Sequence, residues 1–234
     1  MQTVPDHPAK YSQPILRTIE TILLAESLKS DHEITVFDCF GGTGLIHSLA
    51  MPGFIRTEAI EIEPEWAASH PLTKVGNALH VDVPDDHYDV ICTSPTYGNR
   101  MADHHEARDD SKRMTYRHQL GRMPNPDSSA TLPWGQKYWD FHRKVWIEQS
   151  RILRPGGLFI LNTKDFYRTR TLKGARVQEL VEVTRWHVEF LLTLGYKVIS
   201  TTPVPVNGMR MGTNHKKRVP HEMVVGLRKS NVRR

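Results

Sequence analysis

Ile34-Thr-Val-Phe-Asp38 runs without a break into Cys39-Phe-Gly-Gly-Thr-Gly44: an apolar strand pattern that ends on a carboxylate and a turn with three glycines. The pattern predicts a buried strand over 34–38, a tight turn, and a helix from Leu45 to about Ala50 closed by Pro52-Gly53. Glycine permits such a turn and lets backbone approach a ligand closely. The spacing is neither the Gly-x-Gly-x-x-Gly dinucleotide fingerprint nor a phosphate-cradling loop, which needs a following lysine. Downstream, Glu61 closes the next strand, placed to accept hydrogen bonds from a ribose diol. An adenosine cofactor without a pyrophosphate fits these features; a purely structural turn is the alternative.

The same alternation repeats along the chain. Ser12 with Pro14 opens a helix through about Leu28, with Ile15, Ile19, Ile22 and Leu23 on one face. Residues 57–63, 73–76 and 88–93 read as strands two to four, and 138–153 as a helix. Arg154-Pro-Gly-Gly157 turns the chain into a fifth strand, 158–162. A long helix is expected over 177–194, stopped by Gly195. Residues 196–201 and 222–228 complete the set as a terminal hairpin. Strand alternating with helix predicts an α/β fold. The expected form is a Rossmann-like, seven-stranded, mostly parallel sheet with helices on both faces and a C-terminal antiparallel hairpin. In such sheets the ligand site lies beyond the carboxyl ends of the strands, where strand order switches. The expected organisation is one domain, 1–234, with a long loop insertion at about 98–137.

Charge bears on the partner. The 31 basic residues exceed the 26 acidic ones, and the excess is clustered. Residues 111–122 carry four basic side chains and no acid, 164–176 carry five against Asp165, and 207–221 carry four unopposed. Arg100, Lys112, Arg113, Arg117, Arg122, Lys216, Lys217 and Arg218 are the candidate nucleic-acid contacts, against the alternative of a merely solvated surface. Cys39 and Cys92 both lie in apolar strand-like runs, which disfavours a disulfide framework and favours a reducing, cytoplasmic setting. No 18-residue apolar stretch exists, so no membrane contact is expected. His104-His105-Glu106 lacks a ligand spacing, and no metal site is expected. Oligomeric state is not legible.

Thr93-Ser-Pro-Thr-Tyr97 presents a hydroxyl, a carbonyl and a flat ring at the end of the fourth strand. An exocyclic base amine is a poor nucleophile, because its lone pair is conjugated into the ring. Acceptors aimed at its N–H groups favour pyramidal geometry and stabilise charge developing on nitrogen. A flat ring stacks on a base taken out of the duplex. Ser94 and the Pro95 carbonyl therefore read as the acceptors and Tyr97 as the stacking platform; an ordinary proline turn is the alternative.

Taken together, Asp38-Cys-Phe-Gly-Gly-Thr-Gly44, Glu61 and Ser94-Pro-Thr-Tyr97 resemble class I S-adenosylmethionine-dependent methyltransferases of the DNA amino-methylating type, acting on cytosine N4 or adenine N6. "HPAKYSQPIL" at 7–16 and "LRPGG" at 153–157 add to the resemblance. It implies S-adenosyl-L-methionine as cofactor. Asp38 and the backbone of Cys39, Phe40, Gly41, Gly42, Thr43 and Gly44 would hold its methionine end, with Lys10 and Tyr11. Glu61 and Ile62 would meet the ribose, Asn77 and Ala78 the adenine, and Ser94 would border both cofactor and target. The implied reaction is direct in-line transfer to a flipped-out DNA base. Thr96 stands where the family motif has a second proline, which leaves the turn less restrained. An RNA base amino-methyltransferase stays open, as does a nucleic-acid-binding module with a cofactor pocket and little turnover. The resemblance leaves 99–137 and 207–221 uncovered.

Overall fold

A computed structural model describes residues 6–98, 115–172, 175–206 and 218–231. The first strand, β1 (Ile34–Asp38), pairs in parallel with β2 (Ile55–Glu61) on one side and β4 (Tyr88–Thr93) on the other. The short β3 (Thr73–Val75) extends the sheet beyond β2, and β5 (Leu153–Thr163) extends it in parallel beyond β4. Two further strands, β8 (Tyr196–Pro205) and β9 (His221–Lys229), form an antiparallel pair that docks β9 against β5. The order is β3-β2-β1-β4-β5-β9-β8, so strand order reverses between β1 and β4.

Both faces of this sheet are covered, which is why its strands are apolar at consecutive positions rather than alternate ones. On one face Val36, Val90 and Ile160 meet Ile15, Ile19 and Leu23 of α1 (Gln13–Ser27). On the other, Phe37, Ile91 and Phe159 meet Val145 and Trp146 of α4 (Gln136–Ile152) and Leu191 of α5 (Val183–Thr193). Two short helices sit at the cleft side, α2 (Pro64–Ala67) and α3 (Tyr116–Leu120).

Three expectations are corrected. The helix expected at 45–50 is a 3-10 turn, Leu45–Leu49. The insertion at 98–137 holds α3, a 3-10 turn at Ser129–Thr131 and the start of α4. Most of all, the long helix expected over 177–194 is only its second half. Its first half is strand β7 (Ala175–Val181), paired with β6 (Phe166–Leu172) in a separate two-stranded ribbon. Val177, Leu180 and Val181 have helical spacing, but cross-strand partners decide the outcome. Arg168 lies opposite Glu179, and Arg168 and Arg170 both form ion pairs with that carboxylate at 2.9 Å. The helix then starts at Val183, with the Thr184 N–H donating to Asp165 Oδ1 at 2.9 Å.

Candidate active site

The glycine turn is forced by its neighbours. A side chain at Gly41 would put Cβ 2.8 Å from Ala59 Cβ and 3.1 Å from the Ile60 carbonyl, so the turn lies flat on β2. Gly42 and Gly44 adopt positive φ, 52° and 79°, conformations that side chains strain to reach. The turn leads into the carboxylate of Glu61: the Gly42 N–H donates to Oε2 at 2.9 Å and the Glu63 N–H to Oε1 at 3.0 Å. Asp38, fully buried, accepts from Thr93 Oγ1 at 2.7 Å, the Phe40 N–H at 3.0 Å and Tyr11 OH at 3.2 Å. Burial pushes the Asp38 carboxyl up to about 6 and the Glu61 carboxyl up to about 7. Glu61 lines the cleft, whereas Asp38 lies behind its wall and holds the turn from within.

The Thr93–Asp38 bond ties the glycine turn to the end of β4, so both motifs open into one cleft of about 1190 Å³. At the second motif, Asn162 Nδ2 donates to Ser94 Oγ at 3.2 Å and to Glu222 Oε2 at 3.0 Å. The carboxylate fixes the orientation of that amide, since only an N–H can face it. Tyr97 OH donates to Glu222 Oε2 at 3.0 Å, and burial, followed by the Glu222 charge, holds this phenol protonated. Among the described residues nothing hydrogen-bonds the Pro95 carbonyl.

Thr96 is held by two contacts that do the work of the absent proline. Its Oγ1 donates to Ser129 Oγ at 2.9 Å, and its carbonyl accepts from Tyr138 OH. Behind Tyr138 the proton positions follow from chemistry. Trp146 Nε1 can only donate, and it does so to His187 Nδ1 at 2.9 Å. Burial keeps His187 neutral, its pKa well below the ordinary value, so its proton sits on Nε2 and is donated to Tyr138 at 2.9 Å. Trp146, His187 and Tyr138 thus form a one-way chain of donors ending on the Ser94–Tyr97 turn.

A third wall comes from residues 115–134. Arg122 donates to Glu63 at 2.7 Å and to Glu65 Oε1 at 2.8 Å, and the Asn125 N–H donates to Glu63 Oε1 at 2.6 Å. These contacts bring Asp127 to the cleft, where Asn77 Nδ2 approaches its Oδ2 at 3.4 Å. From the N-terminal side, the His7 ring packs on Trp66 at 4.3 Å and Tyr116 at 5.3 Å, over the glycine turn. Burial lowers the His7 pKa to about 4.

Most expected site residues therefore meet at one place: Lys10, Tyr11, Cys39, Phe40, Gly41, Gly42, Thr43, Glu61, Ile62, Asn77, Ala78, Ser94, Pro95 and Tyr97 all line the cleft. Arg218 is also at its edge, and Arg117 lies on α3. Arg122 is a correction. Expected to reach a nucleic-acid strand, it is instead committed to Glu63 and Glu65, two carboxylates that outcompete a distant phosphate for its guanidinium. Trp134 lines the cleft while its ring packs on Tyr138, Trp139 and Trp186. Arg100, Lys112, Arg113, Lys216, Lys217 and His104-His105-Glu106 lie outside the described residues. Asp127, Glu222 and the Tyr138 chain adjoin no motif and carry no signal in the sequence alone. Among the described residues no cluster of three or more His, Cys, Asp or Glu could hold a metal ion, and no helix is long and apolar enough to cross a membrane.

No family profile matches the chain, and no curated protein matches it. Solved structures do resemble it in three dimensions. One is a putative sarcosine dimethylglycine methyltransferase from Galdieria sulphuraria, at TM-score 0.53 and 13% identity over 97% of this chain and 94% of that one. A second is a 1,6-didemethyltoxoflavin-N1-methyltransferase from Burkholderia thailandensis with bound S-adenosylhomocysteine, at TM-score 0.51 and 17% identity over 92% and 78%. A third is the cyclase SpnF, at 0.52 and 14% over 96% and 85%. The chain has the Rossmann-like fold of class I S-adenosylmethionine-dependent methyltransferases. A cyclase on the same fold is a reminder that the fold does not choose the reaction; the site must.

Proposed function

We propose that the protein is an S-adenosylmethionine-dependent methyltransferase acting on an exocyclic amino group of a DNA base, cytosine N4 or adenine N6. The observation that carries the reading is the meeting of two motifs in one cleft. The Asp38–Gly44 turn and the Ser94–Tyr97 turn stand at adjacent strand ends, joined by the Thr93–Asp38 hydrogen bond. The residues fit the cofactor. Glu61 offers an acceptor pair for a ribose diol, Asn77 and Asp127 offer acceptors for an adenine amine, and Tyr11, held by Asp38 from behind the cleft wall, stands at the methionine end. When bound, that cofactor supplies an electrophilic methyl on a positively charged sulfur.

The chain's own part is to orient the amine and receive its charge. Ser94 Oγ and the Pro95 carbonyl accept from the amine N–H groups, holding the nitrogen lone pair out of conjugation. Glu222, one hydrogen bond behind both Tyr97 and Asn162, supplies negative charge where the attacking nitrogen turns positive. Lys164 Nζ, 3.9 Å from Glu222 Oε1, moderates that charge. The Tyr97 ring forms part of the cleft wall on which the flipped base stacks.

Tritiated methyl from the cofactor is the assay. Wild type labels DNA, Ser94→Ala loses the label while calorimetry still finds cofactor binding, and Glu61→Ala loses both. Label in Ser94→Ala equal to wild type would sink the assignment of the second turn; label confined to RNA would move the target to an RNA base.

A further inference from the structure

The ribbon β6–β7 stands apart from the main sheet, and its base joins the cleft, where Phe166, Tyr167 and Arg168 form part of the mouth. A two-stranded ribbon alone is marginal in water, yet this one leaves most residues exposed on both faces. Leu172 and Val177 near its tip are 55% and 42% exposed. Among the described residues nothing in its packing explains why the chain should carry it.

Its residues are sorted by face, because opposite partners in a ladder point the same way. Arg168, Arg170 and Glu179 share one face; Thr169 opposite Gln178 and Thr171 opposite Arg176 share the other. Residues 166–181 hold four basic side chains against Glu179 alone. Each strand has seven residues, which gives a ribbon roughly 24 Å long at about 3.4 Å per residue.

The geometry points to a duplex-reading arm: the ribbon lies in the major groove of double-stranded DNA beside the target base, with Arg176 on a phosphate and Gln178, on the same face, turned to base edges. The inference rests on the methyl-transfer reading for its substrate. A B-form major groove, about 12 Å wide, admits a two-stranded ribbon, whereas the deep, narrow A-form groove of duplex RNA does not. The excess positive charge complements the phosphate backbone. The arm also provides sequence preference within the catalytic domain, next to the place where the base enters.

Fluorescence anisotropy of the full chain on a short random-sequence DNA duplex, read across salt, tests this. Arg176→Ala removes one phosphate contact, so the log–log salt slope falls by about 0.9 and affinity near 0.1 M salt falls roughly 8-fold. Arg176→Lys keeps the charge and keeps the affinity within about two-fold. An unchanged slope in the alanine variant overturns the inference. So does an equal loss on an A-form RNA duplex, or a self-associated state that Val177→Arg disperses without touching duplex affinity. Label incorporation on the same samples separates the two claims. Methyl entering DNA with the slope unchanged sinks the arm and leaves the transfer reading intact; a falling slope with no methyl in DNA does the reverse.

Discussion

Replacing Tyr138 with Phe deletes one oxygen from the interior and tests whether the Ser94–Tyr97 turn is held from behind. The ring itself stays, so packing against Trp134 and His142 is kept. Two groups lose their partner: the Thr96 carbonyl, which accepts from Tyr138, and His187 Nε2–H, which donates to it. His187 is completely buried, so water cannot reach its N–H, while Thr96 is half-buried at the cleft and loses the rigid partner behind it. An orphaned buried polar group costs about 1–3 kcal/mol, and the loss here is expected at roughly 2–4 kcal/mol. For a domain of this length that lowers Tm by roughly 5–15 °C. Urea unfolding with an unchanged slope checks the stability part. Methyl-transfer kinetics check the rest, with kcat falling further than cofactor affinity because Thr96 adjoins Pro95 and Tyr97 rather than the glycine turn. A loss below about 0.5 kcal/mol would refute the donor chain, since it would mean those groups were never paired there.

Two further outcomes follow from the buried carboxylates and the glycines. Glu61 has a folded value of about 7, above the ordinary carboxylate range, so the folded chain keeps a proton that the unfolded chain has lost. Its contribution is therefore present at acid pH and lost as pH rises through about 7. Half-buried His7 and buried His47 and His142 act in the opposite sense, their values lowered by desolvation to about 4, about 4 and about 3. The readable quantity is thus the stability of Glu61→Gln minus that of wild type, which should grow as pH rises from about 5 to 8; a flat difference contradicts the burial of that carboxylate. Gly44→Ala forces positive φ on a side chain and brings Cβ to 2.6 Å from His70 Cβ and 2.9 Å from Thr73 Oγ1. Gly53→Ala meets the same φ strain at 80° with nothing within 4 Å. The first should cost at least about 2 kcal/mol more than the second in denaturant unfolding, and equal costs would mean the turn can move off β3.

How much of this was legible beforehand depended on distance along the chain. The glycine turn, Glu61 and the Ser94–Tyr97 turn are local patterns, each set by a strand ending in a few residues, and they are read directly. Glu222 lies far from Tyr97 in sequence and reaches it only because β9 inserts beside β5. No local pattern carries that adjacency. The ribbon was hidden for a different reason: Val177, Leu180 and Val181 satisfy a helical period, and the pairing of Arg168 and Arg170 with Glu179 that favours strands is visible only in register. Arg122 looked like one more cation in a basic run, and only the fold brings it to Glu63 and Glu65. Thr96 was read as a loss of restraint. Its hydroxyl and carbonyl are in fact both engaged, so the turn is restrained by side chains instead of by a ring.

The central claim is that the bend at Ser94–Tyr97 presents a base amine to the cofactor pocket. Mass spectrometry of nucleosides from DNA incubated with the protein and a cofactor carrying a deuterated methyl tests it most directly. The account predicts labelled N4-methylcytidine or N6-methyladenosine in their deoxy forms, absent with Ser94→Ala. A deuterated methyl on a ring carbon, or DNA left unlabelled while the cofactor is turned over on a small molecule, would contradict it.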